Sequence, residues 1–311
     1  MNQAVHLELW IAFWVLVIGV LALDLLVFNR KAHAITTREA LIWTLVWVTI
    51  GLLFGVGIYF LLGTEPALQY LAGYLVEKSL SVDNLFVFLL IFKFFAVDEK
   101  YQHRVLFWGV LGAIVLRFVM IFAGVALVRQ FHWILYIFGA FLVLTGVKLF
   151  FKKDEEEDPT QNPAVRVIKK FLPFTHDYHE QRFFVRVDGK RLATPLLLVL
   201  VTVEFSDVVF ALDSIPAMFG ITQDPFIILT SNIFAIMGLR SMFFLLYRMM
   251  GRFHYLQPGL AMVLTFIGVK MCIAKWVHIG TGLSLAVVGG VLLLAVLASL
   301  LRKPGSGGDA G

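Results

Sequence analysis

An all-α polytopic membrane protein of nine transmembrane helices, containing an inverted repeat of three helices, is what the 311-residue sequence predicts. Three observations carry that expectation. Hydrophobic residues make up 60% of the chain and charged residues 15%, against about 25% charged in ordinary globular domains, and mean hydropathy is +0.87. Apolar runs of bilayer length, roughly 17–25 residues, recur from end to end. Short sequences around interior acids also return later in the chain, in the same order. Backbone polar groups in a bilayer core must be satisfied internally, and runs of this length do so as helices.

The spans fall at about 7–28, 40–63, 71–95, 104–128, 131–151, 193–219, 226–247, 258–276 and 279–301. They make one membrane domain, 1–311. Spans 1–2 occupy 7–63, repeat A (spans 3–5) 71–151, a linker 152–192, repeat B (spans 6–8) 193–276, span 9 279–301, and a tail 302–311. The tail reads "PGSGGDAG", a disordered composition. The first span is not expected to be a signal peptide, because "MNQAVHLE" carries no Lys or Arg and no small-residue cleavage site follows.

The chain is basic, with a pI near 9.3. Its Lys and Arg residues cluster in "NRKAHAITTR", "KFFAVDEKYQHR", the 152–192 linker, "RMMGR" and the pair at 302–303, which alternate topology puts on one side. Arg129 and Lys275 fall on the other. By the positive-inside rule the N-terminus is expected outside and the C-terminus on the cytoplasmic side. The basic excess is therefore an orientation signal, and no nucleic-acid partner is expected.

Inside the linker, the five acids at 154–158 read as a solvated turn, with cation gathering as the alternative. "NPAVRVIKKFLPF" suggests a short interfacial helix, and "RFFVRVDGKRLAT" a hairpin turning on Asp188-Gly189. His176 and His179 are read first as loop polarity, with metal binding left open. The single cysteine, Cys272, lies inside a span and permits no disulfide or CxxC site.

Shifted by 130 residues, "EKSLSVDN" at 77–84 falls on "DVVFALDS" at 207–214: Glu77 meets Asp207, Asp83 meets Asp213, and Asn84 meets Ser214. Shifts of 123 and 122 bring Arg117 onto Arg240 and Lys148 onto Lys270. A repeat of three helices is odd-numbered, so its second copy crosses in the opposite sense, the arrangement secondary transporters use to build midplane sites.

Ionisable residues inside the spans are Asp24, Glu77, Asp83, Glu204, Asp207 and Asp213, with Lys78, Arg117, Lys148, Arg240 and Lys270. Each costs about 2.5–3.5 kcal/mol near a helix centre, so they must face one another, water or an ion. The acids outnumber the bases by one, a surplus that a proton or a bound cation can neutralise. Glu77, Ser81 and Asn84 share a helix face, Asp83 lies about 120° from Glu77, and Glu204 and Asp207 are neighbours at spacing three. Pro216 suggests an unwound turn at 212–216 beside Asp213 and Ser214. The candidate metal ligands are thus Glu77, Asp83, Asn84, Glu204, Asp207, Asp213 and Ser214, with Arg117, Arg240, Lys148 and Lys270 balancing charge. An all-oxygen set without His or Cys favours hard or borderline divalent ions: Mn²⁺, Mg²⁺ or Ca²⁺. For each acid the competing reading is a purely structural ion pair. Asp24 could serve the site or merely pair.

"EKSLSVDNLFVF", "GVLGAIVLR", "WILYIFGAFLVLTGVK", "RFFVR", "ATPLLLVL", "VEFSDVVFALDSIPA" and "DPFIILTSNIFAIMGLR" together resemble the TerC family, its Alx-like branch in particular, related to LysE-type exporters. The resemblance runs from the first span to the ninth. It implies manganese(II) efflux through the acids of the two repeats, with Mn²⁺ as the transported ion and no prosthetic group. It also carries the family's tellurite-resistance label and a suggested role as a redox modulator. Tellurite is an anion and meets a carboxylate-rich site poorly, and redox work needs a cofactor or paired thiols. The alternative function is a non-transporting membrane stress-response protein acting through a partner complex. An intramembrane enzyme is not expected, because neither a GxGD loop nor HExxH is present. The expected partners are a divalent metal ion and the lipid bilayer, with a membrane-protein partner or homo-oligomer left open.

Overall fold

A computed structural model of the chain describes residues 3–28, 36–151, 173–175, 178–179, 181–187, 190–248, 255–277 and 279–301. The acidic run 154–158, the expected interfacial helix and His176 lie outside these residues, as do the side chains of Asp24 and Asp83.

Ten helices and one hairpin make up the described fold. The helices are α1 (Gln3–Phe28), α2 (Thr37–Leu62), α3 (Thr64–Phe94), α4 (Glu99–Gln130), α5 (Ile134–Phe151), α6 (Pro195–Phe219), α7 (Pro225–Ile236), α8 (Leu239–Arg248), α9 (Leu256–Ile273) and α10 (Thr281–Leu301). Strands β1 (Phe184–Val187) and β2 (Lys190–Ala193) pair antiparallel, with Val187 opposite Lys190. The sequence expects an antiparallel hairpin here, and the pairing shows it; the expected turn residues Asp188 and Gly189 themselves lie outside the described residues.

Among the described residues, five helices (α2, α4, α5, α6 and α10) are long and apolar enough to cross a membrane, and six if the bent pair α7–α8 is one span. Helix α3 has 31 residues, ample length for a crossing. Glu77, Lys78 and Asp83 near its middle set its centre apart from an ordinary apolar span. Among the described residues, shorter apolar helical stretches run over Leu7–Ala22 of α1 and Gln257–Ile273 of α9. The outward faces are rich in exposed Leu, Val, Ile and Phe, the surface a lipid-facing bundle needs.

Packing pairs α3 with α7, α4 with α6, α5 with α6, α3 with α9, α3 with α6, and α5 with α9. The last pair meets through small residues. A Cβ on Gly268 would lie 2.6 Å from the Gly139 carbonyl, one on Gly139 2.9 Å from that of Gly268, and one on Gly146 2.7 Å from that of Ala261. Backbones approach this closely only where side chains are missing. Helices α1 and α2 lie against the outside of the bundle through an aromatic cluster in which Phe13 and Phe54 contact Phe226 and Phe234.

Two features correct local expectations. Pro216 does not unwind its helix: α6 runs unbroken to Phe219. The break lies instead between α7 and α8, bent by 40°. Gly238 sits there at φ +83, and a Cβ on it would come 2.6 Å from Trp47 Cβ. Both conformation and contact demand glycine.

Candidate functional site

Arg117 of α4 is fully buried, and its guanidinium joins three other helices. Nε and Nη2 donate to Asp207 Oδ2 and Oδ1 of α6 at 3.1 and 2.8 Å, a two-pronged pair. Nη1 donates to Glu77 Oε1 of α3 and, at 3.1 Å, to Asn232 Oδ1 of α7. Glu77 and Asp207, which the 130-residue sequence shift aligns, thus converge on one cation.

The convergence follows from local structure. Helix α3 continues through its polar stretch and turns Glu77, Ser81 and Asn84 inward, all buried. Helix α7 is buried from Phe226 to Ile236, so its polar groups must find partners inside. The Thr230 and Ser231 hydroxyls donate back to the carbonyls of Phe226 and Ile227, each at 2.7 Å, which leaves Asn232 to reach across. Glu204 lies one turn before Asp207 on α6, with its carboxylate against Gly112 of α4; a Cβ there would overlap it.

The cluster is not saturated. Glu77 Oε2, Ser81 Oγ, Glu204 Oε2 and Asn232 Nδ2 are buried without a hydrogen-bond partner among the described residues. Unsatisfied buried polar atoms are rare and costly in folded proteins. Charge is unbalanced too: one guanidinium faces two carboxylates, Glu77 and Asp207, and Glu204 adds a further acid beside Asp207. No three His, Cys, Asp or Glu side chains gather as a metal cluster among the described residues. A cation held here would draw on carboxylate, amide, hydroxyl and carbonyl oxygens from several helices, a hard-ion set.

The other sequence candidates scatter. Asp213 and Ser214 lie two turns beyond Asp207 on α6, with Asp213 half-buried near Thr145 of α5. Arg240 is buried just after the α7–α8 break, beside Trp47 and Ser241. Lys270 is half-buried and faces Glu65 at the start of α3. Lys148 is exposed near the end of α5, where a long side chain can snorkel outward. Two residues were missed by sequence reasoning as members of the site. Asn232 has no counterpart under the repeat shift, and its signal was the run Thr230-Ser231-Asn232 in an otherwise apolar helix. Lys78 was counted as an interior charge without an assigned partner. Its Nζ donates to the carbonyls of Ala235 and Met237 at 3.0 and 3.4 Å, across the helix break.

Residues 62–306 match the integral membrane protein TerC family. An uncharacterized membrane protein of Myxococcus xanthus, STKORF319, is 50% identical over 305 residues, covering 97% of this chain and 96% of its own. A protein of Escherichia coli K12 is 51% identical over 298 residues, covering 93% of each chain. One of Photorhabdus laumondii is 46% identical over 309 residues, covering 96% of this chain and 97% of its own. The latter two bear the name Alx with a provisional description as membrane-bound redox modulators. No solved structure matches the chain.

Proposed function

The chain belongs to the TerC family of integral membrane proteins, and from that premise we propose that it is a secondary transporter, not an enzyme, which exports divalent cations, manganese(II) first among them, from the bacterial cytoplasm in exchange for protons. The observation that carries this reading is the Glu77–Arg117–Asp207 cluster: a buried carboxylate pair whose charge one guanidinium leaves incompletely met. In this state Arg117 occupies the position of a cation. A divalent ion can take its place against Glu77 and Asp207 at zero net charge. A proton can accompany Arg117 when the ion leaves. Removing one member of such a buried pair without a substitute is strongly unfavourable, so ion and guanidinium are suited to alternate.

The reading takes nine crossings of the inner membrane with the N-terminus outside and the C-terminus cytoplasmic. Its moving parts are two inverted copies, α3–α5 and α6–α9. Exchanging α3 with α6, α4 with α7–α8, and α5 with α9 turns the α3–α7 contact into α6–α4 and the α5–α6 contact into α9–α3. It also leaves α5–α9 and α3–α6 as pairs across the axis, the pattern a pseudo-two-fold produces. The metal ligands are drawn from Glu77, Asp83, Asn84, Glu204, Asp207, Asp213 and Ser214. Bacterial cells carrying Asp83→Asn or Asp213→Asn are expected to accumulate manganese like a deletion strain. Normal efflux from both variants contradicts the proposal.

The provisional description of the Alx-named relatives favours a second reading, a redox modulator that moves no ion and acts through a partner. It expects sealed vesicles of the purified protein to show no cation flux, and a stoichiometric membrane partner to co-purify.

A further inference from the structure

Lys78 follows Glu77 on α3 but serves different atoms. The carbonyls of Ala235 and Met237, to which its ammonium donates, stand at the C-terminal end of α7, where intrahelical donors run out. That end carries partial negative charge, and broken helices in transporters present such carbonyls to cations. Ala235 is three residues beyond Asn232, so this carbonyl pair lies one turn, about 5 Å along α7, from the Arg117 cluster. On α3, Ser81 sits one turn past Lys78, fully buried, and neither its Oγ nor Glu77 Oε2 has a hydrogen-bond partner among the described residues. The molecule thus sets two tethered cations on two adjacent groups of oxygens, a guanidinium on carboxylates and an ammonium on carbonyls.

We infer that the Ala235 and Met237 carbonyls, with Ser81 Oγ, form a second station for a small inorganic cation, which the Lys78 ammonium fills when no ion is there. This deepens the export reading and rests on it for the identity of the travelling ion. The demand of these oxygens for a positive charge does not depend on that reading.

The test removes the tethered charge and offers a free one. Purified full-length wild type, Lys78→Arg, Lys78→Met and the double variant Lys78→Met/Ser81→Ala are unfolded thermally in detergent. The media are choline chloride, potassium chloride and manganese chloride at equal ionic strength. Lys78→Met is expected to lose several degrees in choline and to recover most of them as potassium or manganese rises, the concentration dependence of a bound ligand. Wild type and Lys78→Arg are expected to show little difference between choline and potassium, any gain from manganese at the Arg117 cluster being common to all variants, and Ser81→Ala to blunt the recovery. A loss in Lys78→Met that neither cation restores beyond the wild-type response makes Lys78 a structural cap and overturns the inference, as does an equal response to potassium in wild type. Where Lys78→Met does not yield folded protein, Lys78→Gln is expected to show the same cation dependence; indifference there overturns the inference too. Ion flux plays no part in these readouts, so failure here and failure of the export reading remain separate results.

Discussion

The two interfaces that tie the helices of the proposed copies together could hardly differ more. Where α5 meets α9 the contact is bare backbone, Gly139 against Gly268 and Gly146 against Ala261, with no room for one added carbon. Where α3, α4, α6 and α7 cross, the contact is charge: one guanidinium on two carboxylates and an amide, ringed by buried polar atoms that lack partners. The first has one close fit, held by dispersion and exact shape. The second has more acceptors than donors and can be satisfied in more than one way. On the proposed export reading the bundle needs both, an axis that stays fixed and a crossing that can re-pair as one cation replaces another.

The largest effect expected at the crossing comes from Arg117→Met. Two buried carboxylates then lose their counter-charge, a loss of about 3–5 kcal/mol read as a lowered unfolding temperature. Adding Glu77→Gln and Asp207→Asn should recover most of it, because a neutral set no longer needs a cation. If the triple variant is no more stable than Arg117→Met, charge is not what holds the crossing. Next comes Gly268→Leu at the α5–α9 pair, expected to cost about 3 kcal/mol, the upper part of the overpacking range, since backbone must give way. No charge substitution elsewhere should rescue it. A tolerant Gly268 would erase the contrast between the interfaces.

The smallest effect lies away from both. Tyr178 in the linker stacks on Tyr101 and donates to the Phe95 carbonyl at 2.6 Å, fastening the linker to the α3–α4 turn. Burial, helped by the nearby Asp98 carboxylate, pushes its phenol up to about 12. A phenol raised in the folded protein stabilises it fully below the ordinary value near pH 10 and progressively less as pH climbs to about 12. Tyr178→Phe should cost about 1 kcal/mol at neutral pH and flatten that alkaline loss in a pH series of unfolding temperatures. An unchanged alkaline slope would show that another group governs it.

Much of this was legible in the chain, for identifiable reasons. The hairpin followed from Asp188-Gly189 between β-prone runs, a local signal. Glu77 and Asp207 could be paired because interior charges are expensive enough to stand out, and the repeat matched them. The helix break could not be placed. Pro216 forfeits one hydrogen bond and α6 absorbs it, whereas Gly238 in "IMGLR" breaks its helix because Trp47 occupies the space a side chain would need. That contact is tertiary and leaves no local trace. Asn232 and Lys78 escaped for the same reason: their roles depend on which carbonyl or guanidinium the fold brings opposite. Asp24 and Asp83, read as interior acids, lie outside the described side chains.

On the proposed reading, the carboxylates of the crossing hold a transported divalent ion. Manganese flux into sealed vesicles of purified protein under an imposed pH gradient tests it most directly, with wild type beside Glu77→Gln and Asp207→Asn. The account predicts saturable, gradient-dependent flux for wild type and its loss in both variants. A wild type that moves no manganese, or variants that move it as fast, would contradict it.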